Sequence, residues 1–141
     1  MLSASDNNTS PSTVLDLFAA ARSSITAAYV NTCPNKRNSY AAFAIKCFEY
    51  ALSLDTPINA SQRLQAVVEL CRIYNVYTSE FEIPKKHLWK AYLTAKKTGD
   101  QLVFDIWDLQ ISLYNKLGQV VPAKRIMEQA LHEAQVYDIL I

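Results

Sequence analysis

The sequence predicts an all-α protein of about six helices, paired into three hairpins that stack as a right-handed solenoid. Apolar residues recur every three or four positions from Thr13 almost to the C-terminus. The 141 residues include only two glycines and five prolines, too few for the many turns of an all-β domain. In addition, one apolar motif repeats at intervals of about 40 residues, which is typical of a helical repeat array.

Turn and cap residues divide this pattern into six segments. Ser12 is a candidate N-cap for the first segment, Pro34 interrupts the pattern after it, and Gly99 suits the end of the fourth. Pro84 and Pro122 suit first helical turns. The expected bounds are 13–30, 39–54, 60–77, 84–98, 100–117 and 122 to the C-terminus. We therefore expect a disordered tail over residues 1–12, followed by hairpins at about 13–55, 59–98 and 100–137.

Charge and cysteine content exclude several classes of function. Fourteen basic residues balance thirteen acidic ones without a basic arm, so we expect no direct binding to nucleic acid. The three cysteines lack a C-x-x-C spacing, which favours reduced thiols in an intracellular protein. No apolar run approaches the roughly 18–20 residues of a membrane helix, and the polar N-terminus does not resemble a signal peptide. We expect no membrane association.

The repeated motif places a large apolar residue three positions before an alanine. Its three copies lie in the second, fourth and sixth segments, at Phe48–Ala51, Leu88–Ala91 and Met127–Ala130. An alanine allows two helices to approach closely, and the large residues fill the space around that contact. Because one hairpin cannot bury its own apolar face, such copies must stack.

The last copy resembles a tetratricopeptide repeat. It keeps the family spacing of large and small residues at Trp107, Tyr114, Gly118, Ala123, Met127 and Ala130. It departs from the family at Gln110 and Ile111, and Ile111 should hold the fifth and sixth helices slightly apart. The second copy keeps Leu70, Tyr74, Leu88 and Ala91. The first keeps only its second helix, because Pro34 falls where its first helix is expected.

A narrower resemblance covers residues 47–135. The run Lys86-His87-Leu88-Trp89-Lys90-Ala91 and the later Leu113-Tyr114, Ala123-Lys124 and Ala130-Leu131 are similar to the tetratricopeptide-repeat subunit of the cohesin loader. The resemblance implies a nuclear, non-catalytic scaffold that binds the extended N-terminal segment of the large HEAT-repeat loader subunit. That complex places cohesin on chromatin for sister-chromatid cohesion, chromosome segregation and cell division. The alternative is a tetratricopeptide adaptor that binds a peptide in another assembly, such as a chaperone or degradation complex.

The family resemblance also implies where a partner would bind. The first helix of each hairpin lines the concave surface of such arrays, and partner peptides run along it. Carried over residue by residue, that surface comprises Gln65, Val68, Arg72, Asn75, Asp105, Asp108, Ser112 and Asn115. Asparagine side chains can donate to and accept from a peptide backbone. Ordinary solvated polar residues are the alternative interpretation of the same pattern.

Catalytic residues are not expected. His87 and His132 lie about one repeat apart, too far to share one metal ion, and Cys71 lies on an apolar stripe. We therefore predict no enzymatic activity and no cofactor. Lysines at 85, 86, 90, 96 and 97 form the one local basic bias, and a solvated outer face is the expected account of them. The apolar run 136–141 is unusual for the end of a solenoid, which favours a fragment of a longer array.

Overall fold

A computed structural model describes the backbone of residues 10–140 and the side chains of residues 10–135. This part of the chain contains six α-helices and no strand. The helices are α1 (Pro11–Val30), α2 (Pro34–Ser53), α3 (Ala60–Tyr77), α4 (Glu82–Thr98), α5 (Leu102–Lys116) and α6 (Val120–Leu140). The predicted all-α class is confirmed. Most of the predicted tail, residues 1–9, lies outside the described residues, as do the side chains of the apolar run 136–141.

The first hairpin is longer and more regular than the sequence predicted. Ser10, not Ser12, is the N-cap of α1, and its side chain accepts a hydrogen bond from the Thr13 backbone N–H. Pro34 is the first residue of α2 rather than a break. A proline fits there because the first backbone N–H groups of a helix have no partner within it. The first unit therefore has both helices, joined by residues 31–33 only.

The second and third hairpins begin and end close to the predicted residues. The Asn59 side chain accepts hydrogen bonds from two backbone N–H groups at the start of α3. Gly99 ends α4 at a φ of 69°, and Gly118 follows α5 at a φ of 75°. Both glycines have the left-handed backbone that stops a helix and that other residues rarely adopt.

Each helix packs against the next one along the chain, and α3 packs additionally against α5. The apolar residues form two clusters. The first joins α1, α2 and one side of α3, and it is centred on Phe18, Phe48 and Leu70. The second joins the other side of α3 to α4 and α5, and it contains Leu88 and Trp107. Because α3 contributes to both clusters, it holds the two halves of the molecule together.

The alanines of the repeated motif pack as predicted in two of the three copies. Ala51 and Ala91 are buried, and Ala130 is half-buried. Among the large residues, Phe48 and Leu88 are fully buried, whereas Met127 is 53% exposed. The expectation that Met127 fills a helix contact is therefore wrong in this structure, because no described helix covers that side of α6.

Two large apolar residues lie at helical spacing from the buried residues of their helices and are nevertheless exposed. They are Phe43 on α2 and Val76 on α3, at 55% and 67%. Phe43 lies between the buried alanines Ala41 and Ala44, so small residues make the helix contact there. A stripe inferred from hydrophobicity alone is wider than the strip that a neighbouring helix covers.

Candidate protein-binding surface

Polar side chains join α3 to α5 along the line where the two helices lie side by side. Arg72 donates to an Asp105 carboxylate oxygen at 2.8 Å. One turn further along, Asn75 Nδ2 donates to Ser112 Oγ at 3.2 Å. Lys116 Nζ donates to the backbone carbonyl of Asn75. The spacings 72–75 on α3 and 105–112 on α5 put these residues on one side of each helix, so the two rows face each other.

The same row continues onto α1. Glu69, one turn before Arg72, accepts a hydrogen bond from Arg22 Nε at 2.7 Å. Gln65 donates to the other carboxylate oxygen of Glu69 at 3.2 Å. Polar contacts therefore connect α1, α3 and α5, the first helices of the three hairpins. We call this surface the polar face; its residues are Arg22, Gln65, Glu69, Arg72, Asn75, Asp105, Ser112 and Lys116.

A cleft of about 300 Å³ opens on the polar face between α1 and α3. Arg22, Glu69 and Arg72 line it with charged groups, and Ile25 and Ile73 contribute apolar surface. An apolar cleft with a few placed polar groups is the usual form of a binding pocket. Its volume is at the lower end of the usual range for ligand pockets, which suits one or two side chains of a partner.

Five of the eight residues predicted to bind a partner take part in the polar face. They are Gln65, Arg72, Asn75, Asp105 and Ser112. Asp108 and Asn115 are exposed on α5, and their side chains make no hydrogen bond or ion pair with any described residue. Val68 is only 1% exposed and packs in the second apolar cluster. Its assignment to a binding surface is wrong, because the side of α3 it occupies faces α4 and α5.

The sequence analysis missed Arg22, Glu69 and Lys116. Glu69 lies four residues after Gln65 and three before Arg72, so helical spacing alone was a usable signal for it. Arg22 was missed because the family motif was found only in the second helix of the first hairpin, so no partner-binding position was carried over to the first helical segment. Lys116 joins the polar face through its hydrogen bond to the backbone carbonyl of Asn75, near the C-terminal end of α3. Nothing in the sequence indicates that contact.

The charges of the polar face nearly balance. Arg22, Arg72 and Lys116 oppose Glu69 and Asp105, and the exposed Asp108 lies nearby on α5. The Arg72 and Asp105 side chains are 49% and 45% exposed, and an exposed pair of this kind stabilises a fold by about 1 kcal/mol at most. The pairs therefore orient the side chains more than they hold the helices together. A surface with little excess charge suits a partner that is bound mainly through its main chain and apolar side chains.

The histidines and cysteines, for which the sequence predicts no catalytic role, lie at separate positions in the fold. His87 is half-buried on α4 and His132 is exposed on α6. Among the described residues, no group of three metal-ligating side chains comes together. Burial raises the pKa of the Cys71 thiol to about 12, so at neutral pH it is a protonated core residue rather than a nucleophile. Burial also raises the pKa of Cys47, whereas Cys33 is exposed.

The lysines of α4 do not form one uniform patch. Lys85 lies over the Tyr114 ring and donates to Gln119 Oε1 at 3.2 Å. Lys96 donates to the Tyr92 hydroxyl and lies 3.5 Å from Glu133, and these contacts raise its pKa. Lys86, Lys90 and Lys97 are exposed and make no ion pair within residues 10–135. Only these three fit the expected solvated outer face.

Comparison of the chain with protein-family models, with curated proteins and with solved structures identifies no match. Among the described helices, none combines the length and the apolar character needed to cross a bilayer.

Proposed function

We propose that this protein is a non-catalytic scaffold of tetratricopeptide-like hairpins that binds an extended segment of a partner protein on the polar face. The observation that carries the proposal is the continuous row of polar side chains across α1, α3 and α5. In a solenoid of helical hairpins, the first helices lie side by side and form one surface. The direct packing of α3 against α5, two helices apart in the chain, supports this arrangement.

An extended peptide fits the chemistry of the polar face. The cleft between α1 and α3 offers an apolar floor for one or two side chains. Asn75 has an amide hydrogen to spare beyond its bond to Ser112, and the exposed Asn115 amide has both of its donors and its acceptor free of described partners. Amides of this kind can bind a peptide main chain, while the cleft selects the side chain.

For the partner, we propose the N-terminal segment of the large HEAT-repeat subunit of the cohesin loader. Support comes from the sequence resemblance over residues 47–135, and the balanced charge of the chain agrees with DNA contact being left to other subunits. The protein would then act in the nucleus, in cohesin loading and sister-chromatid cohesion.

The experiment compares two defined partners in a binding titration monitored by fluorescence anisotropy. One is the recombinant N-terminal segment of the large loader subunit, and the other is an acidic chaperone-tail peptide. The variants are Arg72→Glu combined with Asn75→Ala, and a control with Lys86→Glu and Lys97→Glu. We expect the loader segment to bind, the polar-face variant to lose about tenfold or more in affinity, and the control to bind like wild type.

The possible results separate the two parts of the proposal. Binding of the chaperone tail alone, with loss in the polar-face variant, would keep the surface and replace the partner with an adaptor function. Loss of binding in the lysine control but not in the polar-face variant would overturn the surface itself. Thermal unfolding of each variant must stay close to wild type, which is the expected result because Arg72, Lys86 and Lys97 are exposed and Asn75 is half-buried.

A further inference from the structure

The outer side of α6 exposes residues whose counterparts in the other hairpins are covered. Met127 is 53% exposed, whereas Leu88 and Phe48 at the same motif position are both 0% exposed. Leu131 is 63% exposed, whereas its counterpart Tyr92 is 8% exposed. Val120, at 65%, corresponds to the buried Ala41. Helical spacing places Val120, Lys124, Met127 and Leu131 in one row, which we call the outer row.

The molecule itself shows what covers this row in the other two hairpins. Phe48 is buried in a cluster that includes Ala66, Leu70 and Ile73 of α3. Leu88 is buried in a cluster that includes Val103, Ile106 and Trp107 of α5. In each case the next first helix supplies one part of the cover and the first helix of the same hairpin supplies another: Phe48 also meets Phe18 of α1, with 5.8 Å between ring centres, and the cluster around Leu88 also contains Leu64 and Val68 of α3. No described helix occupies the place of the next first helix beside α6.

The contacts of Lys85, the counterpart of Lys124 in the second hairpin, indicate which kind of side chain would cover Lys124. The ammonium group of Lys85 lies 5.2 Å from the centre of the Tyr114 ring on α5. In the first hairpin the counterpart is Ile45, which lines a cleft together with Tyr74 of α3. In both hairpins, the next first helix therefore places a tyrosine near this position of the row: Tyr74 on α3 and Tyr114 on α5. Lys124 is exposed and makes no hydrogen bond or ion pair within the described part of the chain.

We propose that the outer row of α6 docks an amphipathic α-helix of a partner protein, which packs apolar side chains on Met127 and Leu131 and presents an aromatic ring to Lys124. Attraction between an ammonium group and a ring face favours that placement. A second copy of this chain fits less well. The large apolar residues exposed on α1, its free first helix, are Leu15, Tyr29 and Val30; they lie near its two ends and form no row.

This surface is separate from the polar face. The outer row lies on a second helix, α6, whereas the polar face is built by the first helices of the hairpins. The two sites also bind different chemistry, since an extended segment suits the polar face and a preformed apolar stripe suits the outer row. The proposal therefore does not depend on the proposed function.

The test uses the full chain and a fluorescent, end-capped peptide with the sequence of residues 100–118, which reproduces a helix that covers the equivalent row. Fluorescence anisotropy measures its binding to wild type, to Leu131→Glu, and to Tyr50→Glu as a control. Tyr50 is 58% exposed on α2 and lies outside the row. We expect Leu131→Glu to weaken binding about tenfold or more and Tyr50→Glu to leave it unchanged.

A second peptide, carrying Tyr114→Ala, tests the ring. It should bind wild type more weakly, and the change Lys124→Ala should abolish the difference between the two peptides. Equal binding to wild type and Leu131→Glu, or no binding to wild type, would overturn the proposal. Self-association of the free chain that Leu131→Glu abolishes, without peptide binding, would identify a second copy as the occupant and would equally overturn it. The polar-face variant of Arg72 and Asn75 should bind the peptide normally.

Discussion

The two tryptophans of this protein flank the same tyrosine but differ in burial, and we expect their truncation to differ accordingly. Trp107 is 3% exposed in the second apolar cluster. Its ring centre lies 6.2 Å from that of Tyr92, and Phe104 meets it edge-on at 5.5 Å. Trp89 also stacks on Tyr92, with 6.0 Å between the two ring centres, but Trp89 is 58% exposed.

Trp107→Ala removes a whole buried ring and leaves a cavity where α4, α5 and α6 meet. Truncations of this kind cost about 3–5 kcal/mol, which is a large share of the roughly 5–15 kcal/mol that stabilises a typical domain. For a chain of this size, the melting temperature should fall by on the order of 10–20 °C. Trp89→Ala loses one stacked aromatic pair and little burial, so it should cost about 0.5–1.5 kcal/mol.

Urea unfolding followed by circular dichroism measures both variants with one method. The slope of the transition should stay unchanged in each, so the midpoints report stability directly. Equal losses in the two variants, or a Trp107→Ala midpoint within experimental error of wild type, would refute the packing of α5 between α4 and α6 described here.

Four further outcomes follow from the same packing. Ala91→Leu should overpack the contact between α4 and its neighbours and cost about 1–3 kcal/mol by urea unfolding, whereas Ala130→Leu, at a half-buried position, should cost less. Gly99→Ala should cost about 1 kcal/mol by the same assay, because the backbone is left-handed there although the space around it is open. A thiol reagent should modify Cys33 at once and Cys71 only on unfolding. Because burial raises the pKa of Cys71 from 9.0 to about 12, its contribution is complete below pH 9 and is lost as pH rises towards 12; Cys71→Ala should therefore reduce the fall in stability between pH 8 and 11.

The sequence was sufficient for the helices wherever caps and periodicity agreed. The bounds of α3, Ala60–Tyr77, were predicted without error, because Asn59 caps a helix with a wide apolar stripe. The start of α2 was missed because a proline ends some helices and begins others, and local sequence does not distinguish the two at Pro34. Periodicity shows which residues could face a neighbour, but Met127 and Leu131 show that it does not reveal whether a neighbour is present.

The candidate site was predictable in part for a related reason. Spacing on one helix identified Arg72 and Asn75 on α3 and Asp105 and Ser112 on α5, and these are the residues that meet. Their pairing depends on how the two helices lie side by side, which only the structure shows. Val68 has the same spacing but packs in the second apolar cluster, because burial there depends on how α4 and α5 lie against α3, which spacing on one helix does not reveal.

Site-specific photo-crosslinking to the N-terminal segment of the large loader subunit tests directly whether the polar face binds this partner. A photoreactive residue replaces Asp108 or Asn115, which are exposed beside the polar face. In the control it replaces Lys97, which is exposed on α4. We expect crosslinks from Asp108 and Asn115 to successive residues of one extended segment, and none from Lys97. Crosslinks from Lys97 without any from the α5 positions would contradict this expectation, because the partner would then bind the outer helices instead of the polar face.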